Sequence, residues 1–160
     1  MDSMNILRAF PLLSSISQTD LTALSSLLQA RHFSQGENII TEGEDSDDMY
    51  LLIKGTVDIV KKTVFGDTFV VATIDDSMHS VFGEMALLDH DKRSSTVNAR
   101  TDCETLCIDR VSFDRFCQEH PEGGVKLLRF IGVNLVRNIR KENENLKMVY
   151  QALIEEIEQS

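Results

Sequence analysis

At 160 residues the chain is long enough to form one domain that buries about two-thirds of its unfolded surface, so no disulfide or structural metal is required to hold it together. Its formal charge is −10, from 26 acidic against 16 basic side chains, and this excludes the basic face that nucleic-acid binding demands. Cys103, Cys107 and Cys117 form no Cys-x-x-Cys pair and have no histidine at ligand spacing; they read as buried reduced thiols of a cytoplasmic protein and not as a metal site.

Met1 to Arg8 lacks the basic start and apolar core of a signal peptide, and no run approaches the ~18 apolar residues of a membrane span. Ser17-Gln18-Thr19-Asp20 followed by Leu21, Leu24, Leu27 and Leu28 predicts a capped amphipathic helix, with the Ser17 hydroxyl accepting from the Asp20 N–H. Phe10, Leu12 and Leu13 are expected to pack its entry.

From Arg31 the period changes. Phe33, Ile39, Ile40, Tyr50, Leu52, Val57, Ile59, Phe69, Val71 and Ile74 fall in short runs cut by Gly36, Gly43, Gly55 and Gly66-Asp67, which predicts short antiparallel strands in a sandwich or barrel. Glu42 to Asp48 is conspicuously acidic. A calcium loop there would need oxygen ligands where Met49 and Leu51 stand, so the segment reads as a solvated hairpin turn.

Phe82-Gly83-Glu84-Met85-Ala86-Leu87-Leu88 is a glycine-opened apolar turn with one carboxylate. Asp89 to Lys92 are a polar hop, and Arg93-Ser94-Ser95-Thr96-Val97 brings a guanidinium, two hydroxyls and a β-branched pair. Glycine permits close backbone approach, a short helix from Glu84 offers unpaired N–H groups, and Arg93 supplies a forked cation. A loop with an anion site and a hydroxyl acceptor together suits a sugar phosphate.

Thr96 to Ala99 and Thr105 to Ile108 alternate like two further strands. Val111 to Glu119 places Phe113 and Phe116 on one helical face and ends at His120-Pro121, with His120 expected to face solvent. Gly123-Gly124 is expected to open a last helix whose Leu128, Ile131, Leu135, Ile139, Leu146, Val149 and Leu153 make a coiled-coil-like seam, skipped once at Glu142. Its first half is expected to pack on the strands. Its second half implies a partner helix, with a parallel homodimer preferred over a helix bent back on its own chain. His32, His79, His90 and His120 show no His-x-His pair, which excludes a cupin-like metal enzyme and leaves no catalytic set.

The segment from Phe82 to Val97 resembles the phosphate-binding cassette of cyclic nucleotide-binding domains, the module of the catabolite activator protein and of kinase regulatory subunits. The family pattern runs Phe-Gly-Glu, an apolar residue, Ala-Leu, an apolar residue, four variable residues and Arg followed by two small residues, and this chain fits it without a gap. The resemblance extends from about Phe10 to about Ile139. It implies a mainly β fold with flanking helices: an N-terminal helical part over 1–30, an antiparallel β-roll or jelly roll over 31–110 with the cassette at 82–97, and C-terminal helices over 111–160, all in one domain.

The implied ligand is a cyclic nucleotide, cAMP favoured over cGMP, although Ser94 does not distinguish them. Arg93 would pair with the exocyclic phosphate, helped by Ser94, Ser95 and the backbone from Gly83 through Met85 to Ala86. Glu84 would accept from the ribose 2′-hydroxyl. The base would lie toward the last helix, where Asn134, Arg137, Asn138 and Arg140 are available and Asn138 is the first choice. The implied role is that of a non-enzymatic regulatory receptor whose C-terminal helix repacks and meets a second copy or an effector, without metal, nucleic acid or membrane. The alternative is a dimerisation module with a degenerate pocket. Two departures stand out: Asp75 to Val81 lacks the glycine usual before the cassette, and no helix-turn-helix follows the long helix.

Overall fold

A computed structural model describes residues 3–11 and 13–159. Leu12, expected at the entry of the first capped helix, lies outside the described residues. The elements run α1 (Ser3–Ala9), a 3-10 turn (Leu13–Ser15), α2 (Gln18–Leu27), β1 (Gln29–Phe33), β2 (Asn38–Ile40), β3 (Asp48–Lys54), β4 (Thr56–Lys62), β5 (Thr68–Asp75), a second 3-10 turn (Asp76–Met78), β6 (Val81–Phe82), α3 (Met85–Leu88), β7 (Thr96–Ala99), β8 (Cys103–Asp109), α4 (Arg110–Glu119) and α5 (Pro121–Glu158).

Eight strands form two antiparallel four-stranded sheets, ordered β1-β8-β3-β6 and β2-β7-β4-β5. This is the expected β-roll with helices at its flanks. Alternation along β3 explains how the layers meet, because successive strand side chains point to opposite faces. Tyr50 and Leu52 enter the core between the sheets with Ile40, Val57, Phe82, Val97 and Cys107, while Met49 and Leu51 enter a second core under the helices with Leu21, Phe113, Phe116, Leu127 and Ile131. β3 is therefore buried on both faces, and its pairing with β6 (Tyr50 opposite Phe82, Leu51 opposite Val81) fixes where Gly83 leaves the sheet.

The helices follow local chemistry. Ser17 caps α2 by accepting from the Asp20 N–H at 3.1 Å, as the spacing predicts. Phe10 and Leu13 are buried beside it. α4 begins one residue before the expected start, capped by Asp109, whose carboxylate accepts from the Ser112 N–H at 2.7 Å.

α5 corrects two expectations. It starts at Pro121 and not at Gly123: proline lacks only an N–H that a first helical residue leaves unpaired, so the ring starts the helix that the glycines were thought to open. Gly123 and Gly124 instead sit in the first turn because there is no room for a Cβ, which would come within 2.9 Å of Asp20 Cβ and of Cys117 Cα respectively. The buried face of α5 is Leu127, Phe130, Ile131 and Asn134, while Leu128 is 43% exposed, so the seam begins one residue earlier than the leucine spacing implied.

His120 does not simply face solvent. It stacks on Phe116 with ring centroids 5.4 Å apart, and its Nδ1 lies 2.9 Å from Asp20 Oδ1, joining the α4–α5 corner to α2.

Beyond Asn138 the helix leaves the roll. It continues unbroken to Glu158, and Ile139, Leu146, Val149, Leu153 and Ile157 are each half or more exposed. α5 does not bend back on the chain. The three cysteines are free thiols; burial pushes all three above their usual range. None of the helices among the described residues is long and apolar enough to cross a membrane.

Candidate functional site: the cassette and its buried pair of charges

The cassette follows β6. Gly83 has φ +78°, a left-handed conformation open to glycine without strain, and a Cβ there would stand 2.8 Å from Ile40 Cδ1, 2.9 Å from Asp48 O and 3.0 Å from Arg93 Nη1. The chain then makes the single turn of α3. Ala86 is buried, Met85 is 48% exposed, and the Ala86 N–H reaches back to Gly83 O at 3.3 Å.

Arg93 is 6% exposed. Its Nε donates to Ser46 Oγ at 2.6 Å, Nη1 to Gly83 O at 3.0 Å and Nη2 to Asp48 O at 2.7 Å. A guanidinium has five N–H groups, so these bonds leave one on each terminal nitrogen for another acceptor. No carboxylate among the described residues lies within ion-pair distance of it. Burial lowers its pKa, and Tyr50, Asp48, Asp47 and Glu44 nearby act in the opposite direction. The result is a buried cation held by neutral acceptors, an arrangement that an incoming anion stabilises.

The acidic segment Glu42 to Asp48 is therefore not just a solvated turn. Gly43 N–H donates to Arg93 O at 2.8 Å and Arg93 N–H to Glu44 O at 3.0 Å, so the segment grips the arginine by its backbone while Ser46 and Asp48 orient its side chain. Sequence reasoning missed this, because no local pattern ties residue 46 to residue 93.

Glu84, 4% exposed, is the second buried ionisable group. It is not paired with Arg93. Its Oε1 accepts from Asn134 Nδ2 at 2.8 Å and lies 3.4 Å from Asn138 Nδ2, so two amides one turn apart on α5 converge on one oxygen. Burial raises the carboxyl pKa, partly offset by its own backbone N–H, by Asn134 and by the more distant Arg93. Asn138 does reach the cassette, but buried Asn134 makes the shorter bond and also approaches Val81 O at 3.5 Å. A polar residue at i+3 from Ile131 and i+7 from Leu127, on an otherwise apolar face, was the signal available for it.

Ser94 is exposed and Ser95 half-buried, and neither hydroxyl makes a hydrogen bond within the described residues. Arg137 and Arg140 are exposed on α5. In place of the glycine expected before the cassette, His79 adopts φ +46°, the sole non-glycine residue in the left-handed region among those described, with its ring edge-on to Phe10 at 5.6 Å. A cavity of about 570 Å³ lies elsewhere, between Ser15 and the Pro121–Phe130 face of α5, and shares no residue with the cassette. No group of three or more metal-ligating side chains occurs among the described residues.

A glycine cradle, a buried unpaired arginine and a buried carboxylate are what the resemblance requires. A family description for the cyclic nucleotide-binding domain matches residues 30–120, more than half of the chain.

The chain belongs to the cyclic nucleotide-binding domain family.

Among cyclic nucleotide-binding relatives, it is 29% identical over 126 residues to the CRP-like cAMP-activated global transcriptional regulator of Mycobacterium tuberculosis, a match covering 79% of this chain and 54% of that protein. It is 32% identical over 113 residues to cGMP-dependent protein kinase 2 of Homo sapiens, covering 69% of this chain and 15% of the kinase. A solved cyclic nucleotide-binding domain from Methylobacillus flagellatus superposes with a TM-score of 0.79 at 20% identity, over 89% of this chain and 79% of that one, a likeness of fold. The chain spans about half the length of the mycobacterial relative and far less of the kinase.

Proposed function

We propose that this domain is a regulatory receptor for a cyclic nucleotide and that it signals through repacking of α5. The observation that carries the proposal is the buried Arg93 guanidinium, which has N–H groups to spare and no carboxylate partner. Arg93 binds the exocyclic phosphate, assisted by Ser94, Ser95 and the backbone of Gly83, Met85 and Ala86, while Glu84 accepts from the ribose 2′-hydroxyl. Asn138 contacts the ribose and base in this reading, which its amide 3.4 Å from Glu84 Oε1 supports. The protein acts as a binding module and not as an enzyme. cAMP is favoured over cGMP, although relatives named for each nucleotide resemble this chain.

Coupling follows from the bonds of Asn134 and Asn138 to Glu84. A ligand hydroxyl arriving at that carboxylate must share or displace the amides of α5, and ligand affinity then differs between helix positions. The exposed apolar stripe from Ile139 to Ile157 supports output through a second copy or an effector helix. Residues 1–160 act as one domain in this reading.

The test is titration calorimetry of wild type and Arg93→Ala with cAMP and with cGMP. Removing one partner of a buried charge-assisted pair costs ~3–5 kcal/mol, so affinity is expected to fall more than about a hundredfold. No heat from either nucleotide with wild type would sink the proposal. A second reading has its own observation: Glu84 is already satisfied by Asn134, as in a purely structural dimerisation module, and that reading gains if nucleotide leaves thermal stability unchanged.

A further inference from the structure

α3 is a helix of a single turn, Met85–Leu88. A helix this short has little stability of its own, since nucleation fixes several residues for one or two hydrogen bonds. Its carbonyls need partners from outside. Met85 O receives the Asp89 N–H at 3.0 Å, but Asp89 is already extended (φ −125°, ψ 176°), so the chain turns away before His90 can serve Ala86 O.

Arg110 serves it instead. Its Nε lies 2.9 Å and its Nη2 2.5 Å from Ala86 O, and its Nη1 donates to Nδ1 of His90, which must accept because arginine only donates. All three nitrogens of one guanidinium are thus spent on two cassette residues, Ala86 in the turn and His90 in the polar hop. No ion pair within 4.0 Å draws Arg110 elsewhere among the described residues. A cation at a helix C-terminus also complements the partial negative charge there.

Arg110 is the first residue of α4, held by the Asp109 cap. Phe113 and Phe116 anchor α4 in the core, and Gly124 lets α5 lie against Cys117 so closely that a Cβ would stand 2.9 Å from its Cα. α3 is thus tied to the start of α4, and α4 packs closely against α5.

We propose that Arg110 is the positioning residue of the cassette: it caps α3 from outside and makes α4, and through it α5, follow the cassette when the anion site is filled. This rests on the nucleotide-receptor reading for the ligand-driven part only, since the cap is a contact within the chain itself.

Hydrogen exchange and calorimetry on the full chain test both parts, using wild type, Arg110→Ala, Arg110→Lys and cAMP as probe. Without nucleotide, Arg110→Ala is expected to speed exchange at the Leu87 and Asp89 amides by about tenfold, the scale of a lost helix cap, with the β3–β8 ladder unchanged. Unchanged exchange at those amides, or an even loss across the ladder, overturns the cap.

With saturating cAMP, wild type is expected to gain protection over residues 111–119. Arg110→Ala should bind about 10–100-fold more weakly and lose that gain even when saturated, with Arg110→Lys intermediate because an ammonium cannot serve both acceptors in one plane. Wild-type affinity, or a wild-type gain over α4, in Arg110→Ala overturns the positioning role. If wild type itself binds no cAMP, the coupling is overturned together with the receptor reading, while the nucleotide-free exchange still decides the cap. Should Arg110→Ala fail to fold, Arg110→Lys carries the same comparisons at smaller amplitude.

Discussion

Asn134 Nδ2 donates to Glu84 Oε1 at 2.8 Å, and both side chains are less than 8% exposed. The bond joins the cassette to the one helix that extends away from the roll. Asn134→Ala leaves a buried carboxylate short of a donor, which costs about 1–3 kcal/mol. Urea denaturation is expected to show the drop, and a double-mutant cycle with Glu84→Gln should show that the two effects do not add.

The same carboxylate sets a pH dependence. Burial is the main cause of its raised pKa, against an ordinary value of 4.5. The folded chain therefore holds this proton more tightly than the unfolded chain does. Stability falls as pH rises from 4.5 through the raised value, and above it the cost is present in full. Glu84→Gln cannot titrate, so its stability advantage over wild type is expected to grow with pH by at most about 1.4 kcal/mol per pH unit through that window. A pH-independent difference between the two proteins refutes the assignment.

Gly83→Ala combines a left-handed backbone with three contacts at or under 3.0 Å, one of them to Arg93 Nη1. The strain alone is on the order of 1–3 kcal/mol. A melting curve should register it. Because the guanidinium must also move, the thermal upshift expected of wild type with saturating cAMP under the receptor proposal should be smaller in the variant.

The outer half of α5 predicts association. Leu146 and Leu153 are each about half exposed, on a helix of 38 residues that spans about 57 Å. Leu146→Glu with Leu153→Glu is expected to shift sedimentation to the monomer and lower helix content, since an unsupported helix is marginal in water. The melting of the roll should be unaffected, and a wild type that sediments as a monomer at every concentration argues against self-pairing.

Much of this fold was legible because its signals are local. The Ser17 cap, the glycine breaks between strands and the spacing from Gly83 to Arg93 each depend on residues a few places apart, and each stands where the pattern put it. What stayed hidden depends on distance. Nothing near Ser46 or Asp48 marks them as acceptors for Arg93, and nothing near Pro121 marks the crowding by Asp20 and Cys117 that demands Gly123 and Gly124. Asn134 was nameable as a candidate, but only the docking of α5 puts it ahead of Asn138. Arg110 reads as the residue just before a helix until the carbonyl of Ala86 is seen facing it.

The partners that orient Arg93 lie 47 and 45 positions upstream, and the amide that holds Glu84 lies 50 positions downstream. Contacts across such separations form only after long loops have closed, so they come late as a chain folds. A nascent chain released as far as Val97 carries the whole cassette and still lacks the helix that fastens it. On the receptor reading proposed above, ligand captured by this site would select finished molecules from unfinished ones and so raise the yield of folded protein.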